Sequence, residues 1–186
     1  MARNPQAWKR LSEGKPQDFH ILSIRKDRVV NPRNQSELEI ALVQCPDWVN
    51  VIPLTPEGRV ILIRQFRFGT WAPTLEVPGG VAEPGESPAD TAARELEEET
   101  GYRPKQILPA GFVHPNPAFQ TNKCHSFVAL GCEKVHEGEQ DLSEDIAVEL
   151  RRQDEVPGLI RSGEITHSLV LTAFYLAQLQ GLFPAK

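Results

Sequence analysis

The chain has 186 residues, a formal net charge of −5 and 40% apolar residues, enough to bury a core but with no run long enough to span a bilayer. The acidic balance argues against broad nucleic-acid binding, which needs a basic face. The N-terminus lacks the apolar stretch of a secretory leader, and Cys45, Cys124 and Cys132 are odd in number without metal-site spacing, so reduced thiols in a cytoplasmic protein are expected. In chain order, two β-rich stretches come first, residues 19–30 and 37–45, separated by the turn-like Asn31-Pro32-Arg33-Asn34. They suggest a small N-terminal antiparallel β unit over residues 1–48, ahead of a larger domain over 49–186. Strands follow at 49–55, 59–66 and 74–77, with Pro56-Glu57-Gly58 as a turn between the first two. A helix is expected over 88–100, with Ser87 as N-cap, Pro88 at the first helical position, Asp90 placed for a capping box, and Gly101 as a left-handed C-terminal stop. Strands at 106–113, 124–133 and 146–152 come next, and helices at 154–161 and 168–180 close an α+β chain.

The helix over 88–100 carries the chemistry. Glu95, Glu98 and Glu99 are related by three and four positions, so they share one face. Arg94 and Glu98 are four apart and can pair, which would orient Glu98. Acidic runs are usually solvated surface. Here Gly80, Glu86, Arg94, Glu95, Glu98, Glu99 and Gly101 stand at fixed spacings, a coincidence on the order of 10^-8 per starting position at ordinary amino-acid usage. Carboxylates held this close repel one another unless a cation sits among them, and hard divalent ions prefer oxygen ligands and bridge to phosphates.

Residues 80–102 resemble the Nudix box, G-x5-E-x7-R-E-U-x-E-E-x-G-U, with U a bulky apolar residue. The one soft departure is Tyr102 at the last U, a packing position. The resemblance implies a Nudix α/β/α sandwich around a mixed sheet and metal-dependent hydrolysis of a nucleoside diphosphate linked to another group. It implies that Glu95 and Glu99 bind Mg2+ or Mn2+, that Glu98 and Glu86 support or share the metals, that Arg94 orients the cluster, and that a carbonyl of Gly79 or Gly80 completes the coordination.

Further residues resemble the ADP-ribose and nucleotide-sugar branch. Pro117, in His114-Pro115-Asn116-Pro117-Ala118-Phe119, lies sixteen residues past Gly101, where that branch carries a proline. Arg64-Gln65-Phe66-Arg67 and Leu75-Glu76-Val77-Pro78-Gly79-Gly80 are similar to its R-Q-x-R and E-x-P-x-G signatures. This makes Arg64, Arg67, Glu76, Pro117 and Phe119 candidate substrate contacts, with Arg67 able to fork onto a diphosphate. Trp48, and as a rival Trp71, could stack on the base. The branch uses an N-terminal β unit for dimer exchange and a late flexible loop to bring an acid to the metals. Glu144 matches that acid best, with Glu139 and Asp141 as rivals. The expected enzyme is a homodimeric, Mg2+- or Mn2+-dependent pyrophosphatase of a small nucleotide sugar, with neither nucleic acid nor membrane as partner. A nucleoside-triphosphate sanitising enzyme and a non-catalytic ADP-ribose-type sensor are the alternatives.

Overall fold

A computed structural model of the protein describes residues 4–139 and 145–184. The chain divides into two compact units, one formed by residues up to Pro46 with 114–122, the other by the rest. In the first unit, β1 (Lys9–Ser12), β2 (Gln17–Asp18), β3 (Ser23–Val30) and β4 (Glu37–Gln44) make one antiparallel sheet. β4 pairs along the whole of β3, from Ser23 opposite Gln44 to Val30 opposite Glu37, so β1 and β2 share the other edge. The stretch expected as one strand over 19–30 is broken. Phe19 donates to the Leu22 carbonyl at 2.8 Å and His20 takes φ 67°, which turns β2 into β3. β1 was not foreseen, because its four residues are all exposed and show no alternation.

Asp27 is fully buried in this sheet, 3.2 Å from each of Arg10 and Arg25, and accepts the Gly14 N–H at 3.1 Å. A buried carboxylate persists only when so paired. Segment 114–122 lies along the end of β4, where Val43 donates to Phe119 at 2.8 Å and accepts from Thr121 at 3.1 Å.

The second unit is built on β5 (Trp48–Leu54), β6 (Arg59–Arg67), β7 (Ala72–Glu76), β8 (Tyr102–Arg103), β9 (Gln106–Val113), β10 (Cys124–Leu130), β11 (Glu133–Lys134) and β12 (Ile146–Arg152). Its helices are α1 (Pro88–Thr100), α2 (Val156–Ser162) and α3 (Ser168–Leu179). The main sheet runs β12-β6-β5-β10-β9, with β7 also on β6; β10 is parallel to β5 and the other pairs are antiparallel. Alternation sends successive side chains to opposite faces, and both faces are apolar. Ile52, Leu62, Leu75 and Val128 pack with Val156, Val170 and Phe174 from α2 and α3. Val49, Val51, Ile61 and Phe127 pack with Ala92 and Leu96 from α1. Helices therefore cover the sheet on both sides, as a Nudix α/β/α sandwich requires.

Two expected elements end differently. The strand over 124–133 stops at Leu130, because Gly131 at φ 64° turns the chain before the short β11. The helix over 154–161 begins as a 3-10 turn, Gln153–Glu155, and becomes α-helical only at Val156. No helix among the described residues is long and apolar enough to cross a membrane.

Candidate active site

α1 forms for local reasons. Ser87 accepts the Asp90 N–H at 3.2 Å and donates its hydroxyl to the Asp90 carboxylate at 2.6 Å. Pro88 sits in the first turn, where its missing N–H costs nothing. At the far end Gly101 takes φ 73° and its N–H returns to the Glu97 carbonyl. A Cβ on Gly101 would also lie 1.9 Å from the His136 carbonyl oxygen, so backbone angle and space both demand glycine.

Arg94 sits at the centre of the acidic face. Nε and Nη2 grip Glu86 at 3.0 and 3.1 Å, Nη1 reaches both Glu98 and Glu95 at 2.9 Å, and Nη2 also donates to the Val81 carbonyl at 3.2 Å. The Arg94 pKa is raised, chiefly by the Glu86 bonds. Those same bonds are the main reason the Glu86 carboxyl is pushed down to about 2, helped by the Thr91 hydroxyl and the Glu83 N–H.

Glu99 is buried, and its Oε2 accepts the Gly79 N–H at 2.9 Å. A Cβ on Gly80 would stand 2.4 Å from Glu95 Oε1. The two glycines thus lie directly against two carboxylates. They are held there because β5 leaves β6 and pairs instead with the segment after β7: Val51 N–H bonds Pro78 and Val49 N–H bonds Gly80, each at 2.9 Å. Glu98 is the most open of the three glutamates and Glu99 the most enclosed.

This donor set is all oxygen: three carboxylates on α1, with Glu99 against the Gly79 N–H and Glu95 against the Cα of Gly80, whose own carbonyl is taken by the Val49 N–H. Among the described residues no three ligating side chains already close on one point; Glu95 and Glu98 are drawn instead to Arg94. Oxygen ligands that leave room for water suit a hard divalent cation such as Mg2+ or Mn2+. The residues fit the group. The buried thiols of Cys124 and Cys132 do not compete for such chemistry, since burial pushes them up to about 12 and about 11.

The other expected residues divide. By alternation from Ile61, Arg67, Thr74 and Glu76 face the α1 side of the sheet. Arg67 forks onto Glu76 at 2.8 and 2.7 Å, and the Thr74 hydroxyl adds a bond at 2.5 Å. Burial raises the Glu76 pKa, but Arg67 and Thr74 outweigh it and the net shift is downward. Arg64 faces the opposite side, with Nε 2.7 Å from Glu149 and Nη2 3.5 Å from Glu164, so the structure does not bring it to the carboxylates. Trp48 starts β5, donating its N–H to Lys123 at 2.9 Å and bridging to Val81. Trp71 is largely exposed at φ 55° and packs edge-on against Phe66 at 5.6 Å. Pro117 and Phe119 belong to the 114–122 turn of the first unit. Glu144 and Asp141 lie outside the described residues.

Glu139 is described: its N–H donates to the Glu98 carbonyl at 2.8 Å. It lines a cavity of about 350 Å3 together with Arg94, Glu97, Glu98 and His136. Neither Thr91 nor His136 was singled out from the sequence. A lone threonine in a helix and a lone histidine in a loop carry no local signal.

The NUDIX domain family profile matches residues 46–169. The chain is 33% identical over 147 residues to an ADP-ribose pyrophosphatase of Bacillus subtilis (strain 168), covering 78% of this chain and 79% of that one. It is 33% identical over 162 residues to a methanol dehydrogenase activator of Bacillus methanolicus, covering 86% of each. A crystal structure of an ADP compounds hydrolase superimposes with a TM-score of 0.84 over 97% of this chain and 100% of that one, at 20% identity.

Proposed function

The chain belongs to the NUDIX family and is a Nudix pyrophosphatase, and from that premise we propose that it hydrolyses the pyrophosphate bond of a nucleoside diphosphate sugar of the ADP-ribose type, using Mg2+ or Mn2+. The products are a nucleoside monophosphate and a sugar phosphate. Family enzymes generally use divalent ions, and ADP-ribose pyrophosphatases stand among the relatives. The observation that carries the reading is the Arg94-centred glutamate cluster, with Glu99 tied to Gly79.

In this reading Glu95 and Glu99, with Glu98 and the Gly79 and Gly80 carbonyls, hold the ions. The ions supply charge neutralisation at the diphosphate and an activated water. Arg94 holds Glu95 and Glu98 together against their mutual repulsion. Gly79 fixes the Glu99 carboxylate, and the side-chain-free Gly79-Gly80 stretch lets substrate approach the carboxylates. The Arg67–Glu76 pair, with Glu76 buried and Arg67 partly exposed, forms the polar floor on the α1 side. An acid from the loop after Glu139, Glu144 by the resemblance, serves as base. The first unit supplies dimer contacts and part of the nucleotide pocket of its partner, and the enzyme works in the cytoplasm as a homodimer. Support for that role is local: the two apolar clusters among the described residues lie in the second unit, while Trp8, Leu11, Phe19, Ile21 and Leu38 of the first are exposed.

The test is a substrate panel of ADP-ribose, ADP-glucose, GDP-mannose and dNTPs with each metal, reading the released nucleotide. Nucleoside monophosphate from the sugars is expected. Turnover confined to dNTPs would replace this reading by the triphosphate one, and tight binding without turnover would indicate a sensor.

A further inference from the structure

The C-terminal turn of α1 is crossed by a strap, residues 135–139, whose backbone is bound to it at three points. Val135 N–H donates to the Gly101 carbonyl at 2.8 Å, His136 N–H to the same oxygen at 3.4 Å, and Glu139 N–H to the Glu98 carbonyl at 2.8 Å. The last bond satisfies one of the carbonyls that every helix end leaves without an intrahelical partner. The fit is close: a Cβ on Gly101 would meet the His136 carbonyl and the Gly138 nitrogen, and one on Gly138, which has φ 92°, would lie 3.0 Å from the Glu98 carbonyl oxygen.

The side chain of His136 locks this crossing. Its Nδ1 accepts the Gly138 N–H at 2.9 Å, which leaves the proton on Nε2, facing Glu97 Oε1 at 3.3 Å. Glu97 is itself held from the other side by Arg103, at 3.0 and 2.6 Å. The chain of contacts therefore runs from α1 through Glu97 and His136 to Gly138, and ends where Glu139 meets Glu98. Glu97, His136, Glu98 and Glu139 line one cavity with Arg94.

We infer that His136 is a positioning residue for the hydrolysis proposed above. It clamps the strap to the box helix so that Glu139 is held beside Glu98. The inference rests on the pyrophosphatase reading for its catalytic half; the clamp itself is independent of it.

The experiment compares the full-length enzyme with His136→Ala, His136→Asn and Glu97→Gln. Two quantities are read: amide hydrogen exchange over 136–139 in metal-free protein, and kcat and KM on ADP-ribose. An asparagine can still accept the N–H two residues on, so His136→Asn is the conservative rescue. His136→Ala is expected to speed exchange at 138 and 139 by about tenfold or more and to lower kcat about 10- to 100-fold with KM within about twofold. His136→Asn restores slow exchange and most of kcat, and Glu97→Gln falls between. Unchanged exchange in His136→Ala overturns the clamp. Faster exchange with unchanged kcat overturns the positioning role. If His136→Ala fails to fold, Glu97→Gln decides by the same two readings, unchanged exchange overturning the clamp and faster exchange with unchanged kcat overturning the positioning role. A wild-type enzyme inactive on every nucleotide sugar sinks the pyrophosphatase reading and the catalytic half with it, while exchange still decides the clamp.

Discussion

At the scale of single residues, the site is controlled by how little room the glycines leave. A Cβ on Gly80 would fall 2.4 Å from Glu95 Oε1, the far end of a flexible side chain. Gly80→Ala should therefore be cheap in stability and costly in function, because the carboxylate moves rather than the fold. A thermal midpoint within about 4 °C of wild type is expected, with kcat down by about tenfold or more. Glu86 gives a test in pH. Its carboxyl is pushed from 4.5 down to about 2, chiefly by the Arg94 bonds. A depressed folded pKa contributes stability above the unfolded value and loses it as pH falls through the folded one. The stability gap between wild type and Glu86→Gln should be full above pH 4.5 and close towards pH 2, as read by urea unfolding at each pH. A gap that does not narrow would mean that Arg94 does not hold an ionised Glu86.

At the scale of elements, α1 was legible end to end, since the Ser87 cap, Pro88 and Gly101 are local signals and the observed helix spans Pro88–Thr100. Ser87→Ala removes the bond to the Asp90 N–H and should cost about 1 kcal/mol, lowering the thermal midpoint by about 2–4 °C with kcat unchanged. The strands of the main sheet were legible from their apolar runs, but β1 was not, because its exposed KRLS owes its pairing to β3 rather than to its own pattern. The site divides in the same way. The carboxylates and Arg94 follow from spacing on one helix. The fork of Arg67 on Glu76, the turning of Arg64 to the opposite face and the crossing of 135–139 over Gly101 depend on residues brought together by the sheet. No single helix or strand contains them.

At the scale of the whole molecule, the first unit holds a buried Asp27 between two arginines yet exposes several large apolar side chains. The proposed homodimer would cover such side chains. Light scattering over a dilution series should give twice the 20.8 kDa of one chain, and the single-chain mass at all concentrations would count against the dimer. The second unit places three glutamates and one arginine of α1 beside a two-glycine stretch, on a sheet covered on both faces. The proposed hydrolysis needs divalent ions to join that arrangement to a pyrophosphate. The most direct measurement is the initial rate of AMP release from ADP-ribose by chelator-treated enzyme, titrated with Mg2+ or Mn2+, for wild type and Glu99→Gln side by side. Wild type should rise saturably from no detectable rate, while Glu99→Gln stays about 100-fold or more below it. Equal rates with and without added metal, or an undiminished Glu99→Gln, would contradict the account.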